Sequence, residues 1–117
     1  MRLSQEKVLE TRIASALAKG ERSSASRLDE VMPRVSSFYG IVITMYFGDH
    51  APPYFHARHG GDEAKIGIED GALLSGSLSR RDLSLVREWL GQHRPELRLN
   101  WQRVVENRQP EQIEPLR

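Results

Sequence analysis

The sequence predicts an α+β domain: a small antiparallel β-meander of three to four strands packed by two C-terminal helices, with an extra helix at the N-terminus. Three observations carry that reading. Between Phe38 and Leu78 the chain falls into short runs rich in β-branched and aromatic residues, broken by Gly and Pro. From Ser79 onward, and again between Ser4 and Lys19, apolar side chains recur at helical spacing. The 117 residues amount to one domain, long enough to bury a modest core without staples.

The N-terminal helix is read from Val8, Leu9, Ile13 and Leu17, which fall on one face and stop at Gly20. A polar stretch, Glu21 to Ser26, follows as a linker, so residues 1–31 form a helical extension and residues 32–117 a single domain. The first strand is expected over Phe38 to Phe47, with Ile41, Ile43 and Met45 on one face and Val42, Thr44 and Tyr46 on the other. Gly48-Asp49-His50-Ala51-Pro52-Pro53 must end it, because neither proline can donate to a sheet ladder and each restricts the residue before it. A second strand is expected from Tyr54 to His59. Gly60-Gly61-Asp62 then turns the chain into a third, Glu63 to Glu69, where Ala64, Ile66 and Ile68 alternate with Lys65, Gly67 and Glu69. Asp70-Gly71 suits a hairpin turn, which places a fourth strand over Ala72 to Leu78.

Ser79 is the expected N-cap of a helix running to His93, with Asp82 in its first turn and Leu83, Val86, Trp89 and Leu90 along its apolar stripe. Pro95 is expected to open a second helix, whose Leu97, Trp101, Val104 and Val105 share a face and whose end falls at Gln109, before Pro110. Two antiparallel helices joined at Gln92 to Arg94 would cover one face of the sheet and leave the other to solvent or a partner. Trp89 and Trp101 are read as core anchors.

Composition excludes several classes of function. With no cysteine, there is no disulfide, thiolate zinc site or cysteine nucleophile. The longest apolar runs fall far short of the ~20 residues that a membrane helix needs, and the N-terminus carries no apolar signal stretch, so a cytoplasmic protein without membrane contact is expected. A net charge of +1 does not announce a nucleic-acid surface. Residues 32–78 hold three Lys/Arg against five Asp/Glu, and residues 79–117 hold eight Arg against six Asp/Glu. A solvated helix face with mixed charge accounts for the second set.

The segment Met32 to Gly60 gathers the residues that could carry chemistry: three of the four histidines, and Phe38, Tyr39, Tyr46, Phe47, Tyr54 and Phe55. His50 and His56 are the candidate catalytic pair, as groups that titrate near neutrality, with Asp49 to orient an imidazole. Arg34 or Arg58 could hold a phosphate, and Tyr46, Tyr54 and His59 complete the candidate binding set. Metal binding is not expected: His56 and His59, three residues apart on one strand, point to opposite faces and cannot both ligate. Nothing calls for a cofactor. As a purely structural alternative, Asp49 and His50 would hydrogen-bond the backbone of the Pro-Pro turn.

Met32-Pro33, Phe38-Tyr39-Gly40-Ile41-x-Ile43, Met45-Tyr46-Phe47-x-Asp49-His50-x-Pro52-Pro53 and Phe55-His56-Ala57, with Leu78-x-x-Arg81, Glu88-Trp89 and Trp101, resemble the motifs of the domain of unknown function 4160 family of small bacterial proteins. The resemblance extends from Met32 to about Pro115. It implies that residues 1–31 precede the point where members commonly begin. It also implies His at the position of Tyr54 and Tyr at that of His59, so this chain departs from the family at two candidate residues. The family's gene arrangement, beside another short domain of unknown function, implies a toxin–antitoxin-like or regulatory pair. The leading expectation is a binding protein that contacts a small protein partner from a neighbouring gene. The alternatives are a metal-independent ribonuclease toxin using His50 and His56, or a DNA-binding regulator acting through Arg98, Gln102, Arg103 and Asn107, so nucleic acid stays open as a partner.

Overall fold

The computed structural model describes residues 32–48 and 51–117. The predicted N-terminal helix and linker lie outside the described residues, as do Asp49 and His50. Five strands form one antiparallel sheet in sequential order: β1 (Arg34–Phe38), β2 (Ile41–Thr44), β3 (Tyr54–His59), β4 (Asp62–Gly67) and β5 (Leu73–Gly76). One helical element follows, α1 (Arg80–Val105), and an irregular tail closes the chain.

The meander has one strand more than expected: the predicted strand from Phe38 opens on a turn, and the chain before that turn, Arg34–Phe38, forms β1. Tyr39 and Gly40 both have positive φ, 51° and 82°, and Phe38 pairs with Ile41 across them. Positive φ at both loop positions matches the right-handed twist of the flanking strands. Tyr39 is an unusual residue for that conformation, which hid the turn inside an apparently continuous aromatic run. Gly40 is required on a second ground, since a Cβ there would stand 2.8 Å from His59 Nε2.

The face with Ile41, Ile43 and Met45 is the buried one. Ile43, Ala57 and Ala64 lie side by side across β2, β3 and β4, and Phe55 faces Ile66. Trp89 of α1, fully buried, lies against both Phe38 and Phe55, with ring centroids 5.4 and 5.7 Å away.

Ser79 caps α1 as expected, its hydroxyl accepting from Asp82 N at 3.0 Å. Ser79→Ala removes that acceptor and should cost about 1 kcal/mol, read as a lower urea midpoint at unchanged slope; an unchanged midpoint would show that the cap contributes nothing. The expected pair of antiparallel helices is corrected. Helical backbone continues on both sides of a single non-helical residue, His93, with Pro95 two residues on. Pro95 has no N–H to donate and its ring crowds the preceding turn, which kinks the element there without reversing it. Asp82 reaches His59 and Trp89 reaches Phe55, so α1 before the kink runs antiparallel to β3, and after it the helix passes the Tyr54 end, where Trp101 meets Tyr54 and Gly48 N donates to the Val104 carbonyl.

The helix ends at Val105, four residues before the predicted Gln109. Asn107 adopts φ 61° and donates to the Val104 carbonyl, while Arg108 N donates to the Arg103 carbonyl at 2.7 Å. This two-bond arrangement satisfies the last carbonyls and turns the chain. The tail then returns along the helix. Buried Asn100 accepts from Glu111 N and donates to the Glu111 carbonyl, Trp89 Nε1 donates to the Glu114 carbonyl, and Ile113 N donates to Val35 O at the β1 edge. Ile113 and Leu116 thereby join the core.

Candidate functional site

Register assigns the polar residues of the sheet to its other face. Directly paired residues share a face, so Arg34, Thr44, His56, Lys65 and Ser75 form one row across all five strands. A second row on the same face runs Ser37, Val42, Arg58 and Glu63. All three cations of residues 32–78 therefore stand on this outer face, although the segment as a whole is acidic. Among the described residues, Glu63 is the carboxylate that shares it. Glu69 is drawn away by Arg98, which grips it with Nε and Nη2 at 2.6–3.2 Å, and Asp70 caps Ala72 N in the β4–β5 turn.

His56 is the centre of this face. Its ring lies under Tyr46, parallel to within 12° at 4.1 Å, and meets the edge of Tyr54 at 5.4 Å. Lys65 Nζ sits 5.0 Å above the Tyr54 ring. The residue is 95% buried, and burial is the main reason that its pKa falls from 6.5 to about 4. The Glu63 carboxylate opposes burial through its charge and its hydrogen bond, but the positive charges of Lys65 and Arg58 push against it, so burial prevails. At neutral pH the ring is uncharged. Because a carboxylate can only accept, the ring proton resides on Nδ1 and is donated to Glu63 Oε2 at 3.1 Å. That leaves Nε2 buried, without a proton and without a partner. In this state the ring holds Tyr46, Tyr54 and Glu63 together on the outer face.

The expected site residues are thus partly assembled. Arg34, Tyr46, Tyr54, His56 and Arg58 come together on the outer face. Tyr54 is itself buried, lying between His56 and Trp101 of the helix. His59 does not join them, as the alternation on β3 requires. It faces the helix, where its Nδ1 donates to buried Asp82 at 2.6 Å; Arg81 holds the other oxygen of that carboxylate. Asp49 and His50 lie outside the described residues.

Lys65, Glu63, Thr44 and Ser75 were not singled out from the sequence. Lys65 carried a signal, since it alternates with Ala64 and Ile66, but its neighbours across the strands become visible only through register. Of the arginines proposed to meet nucleic acid, Arg98 is bound to Glu69 and Arg103 donates to Asn100 Oδ1. Arg87 and Arg94 likewise donate to the carbonyls of Gly71 and Ile68. Arg87, Arg94 and Arg98 tie α1 to the β4–β5 corner.

Among the described residues no group of three His, Asp or Glu side chains could hold a metal ion, and no helix is long and apolar enough to cross a membrane. Comparison with curated proteins and with solved structures finds no match. A family profile does match, over residues 40–102, which is more than half of the chain and spans β2 to β5 and most of α1. On that match the chain belongs to the family described as Domain of unknown function (DUF4160).

Proposed function

We propose that this chain is a non-catalytic binding protein that holds a small protein partner against the outer face of its sheet, as one component of a toxin–antitoxin-like or regulatory pair. One observation carries the reading. Among the described residues, α1 and the tail cover the face with Ile41, Ile43 and Met45, Trp101 of α1 reaches round to Tyr54 at one end, and the rest of the opposite face presents a polar row with half-buried Tyr46 stacked on it. Ser75 carries the outer row onto the edge strand β5, whose Leu73 and Leu74 are 41% and 43% exposed, Leu73 in the register of core residue Ile66. From Gly71 to Ser79 there is no charged residue and no proline, the usual guards of a sheet edge.

The rival readings draw less support. A ribonuclease using His56 would want an imidazole that is accessible and poised near neutrality, and this one is buried and neutral. A DNA-binding regulator would want free cations on a recognition helix, and Arg98 and Arg103 are engaged within the fold.

The test is to mix the full chain with the product of the neighbouring gene and measure mass by light scattering and affinity by calorimetry. A one-to-one complex is expected, and Tyr46→Ala with Arg58→Ala should weaken it at least tenfold. Absence of any complex, together with RNA loss in expressing cells that His56→Ala abolishes, would overturn the proposal in favour of the nuclease.

A further inference from the structure

We infer that the partner segment seated on the outer face is acidic, and that Arg34, Arg58 and Lys65 form the electrostatic patch that selects it. This inference rests on the binding role proposed above and names the chemistry of the partner. The charge of residues 32–78 is −2 when Asp and Glu are counted against Lys and Arg, so an even distribution would leave either face acidic. Folding sorts it otherwise. Among the described residues all three cations go to the outer face with one carboxylate, Glu63, a balance of +2 there, while Asp49 lies outside the described residues. Asp62, opposite His59 at the strand end, lies in the other register, and Glu69 and Asp70 belong to the β4–β5 corner.

The cations are also available. Arg34 is exposed, Arg58 is half-buried, and neither makes an ion pair within the described residues. Lys65 rests on the Tyr54 ring, an arrangement that steers the ammonium without neutralising it. Glu63 is held to His56, so it sits beside the patch and does not bridge to Arg58 opposite it. A surface of cations around a half-buried tyrosine, flanked by an apolar strand edge, suits a carboxylate-bearing peptide segment with some apolar side chains. Arginine forks onto carboxylates with two bonds, and like-charged partners are rejected by the same patch. Exposed Ser37 and Ser75 add neutral hydrogen-bonding groups beside the charges. Single-stranded nucleic acid would use the same cations, but it favours several open aromatic platforms for its bases. Here Tyr54 is buried and one face of Tyr46 is already covered by His56.

The experiment uses the full chain and a fluorescein-labelled oligo-glutamate peptide, followed by anisotropy. Binding is expected at low salt, weakening about tenfold on raising salt to ~150 mM, where the screening length falls to about 8 Å. The double variant Arg58→Glu/Lys65→Glu should abolish it, and Arg34→Glu should weaken it severalfold. Arg80→Glu changes net charge off this face and should leave binding intact. Thermal melting of each variant establishes that the fold survives, and Arg34→Glu, at an exposed position, keeps the test valid if the double variant does not fold. No binding at low salt, or equal loss with Arg80→Glu, would overturn the inference. Tighter binding of an oligo-uridine probe with the same variant pattern would overturn it in favour of nucleic acid. A stable complex with the neighbouring gene product that ignores both salt and charge reversal would overturn the acidic partner while leaving the binding role standing.

Discussion

Trp89→Ala should remove about 4 kcal/mol of stability, the usual cost of deleting a fully buried large aromatic side chain. Trp89 is where three parts of the fold meet: its ring touches Phe38 of β1 and Phe55 of β3, and its Nε1 donates to the Glu114 carbonyl at 2.8 Å. The truncation therefore opens a cavity under the sheet and also frees the tail. A domain of this size has only about 5–15 kcal/mol in total, so the variant should be partly unfolded at 37 °C and show a much lower urea midpoint. Trp89→Phe keeps most of the apolar volume and loses the bond, and should sit between the two. A loss under about 1 kcal/mol in the alanine variant would show that the tail and helix pack independently of this residue.

Acid should destabilise the protein through His56. The folded ring takes its proton only near pH 4, whereas the unfolded chain takes it near 6.5. Between those values the unfolded state binds more protons, so stability is full above pH 6.5, falls as pH drops toward 4 and then levels off. The full difference corresponds to roughly 3 kcal/mol, of which about 2 is lost by pH 5. Urea unfolding at pH 7 and pH 5 measures it, with His56→Gln as the comparison, since that variant keeps a polar side chain but cannot titrate. The wild-type chain should lose about 2 kcal/mol more than the variant over this interval. Equal losses would mean that His56 is accessible and titrates normally, which would return it to candidacy as an acid–base group.

Local pattern made much of this fold legible. Alternation assigned Ile41, Ile43 and Met45 to the core face and separated His56 from His59, because a strand's side chains have a period of two whatever surrounds it. Ser79 was legible as a cap for the same reason: its bond to Asp82 N spans three residues. The turn at Tyr39-Gly40 was not, since a tyrosine in left-handed conformation is tolerated only where the hairpin enforces it. The kink at His93 read as a break between helices because Pro95 announces an interruption but not its angle. The tail was missed altogether. Ile113 and Leu116 have no periodic neighbours, and they are buried because Asn100 and Trp89, far away in sequence, anchor their backbone.

By itself, then, the sequence determined the class of the fold, the identity of the buried sheet face, the helix start and the family, all of which follow from short-range spacing and residue type. Only the tertiary structure decided which charges stand together. Arg34, Arg58 and Lys65 come from three strands, and their common face depends on pairing register, including the bulge between Arg34 and Ser36 that shifts β1 by one residue. The state of His56 was likewise undecided until Tyr46, Tyr54, Lys65 and Glu63 closed around it, because a pKa is set by burial and neighbouring charge, and neither is written in the residue's own place along the chain.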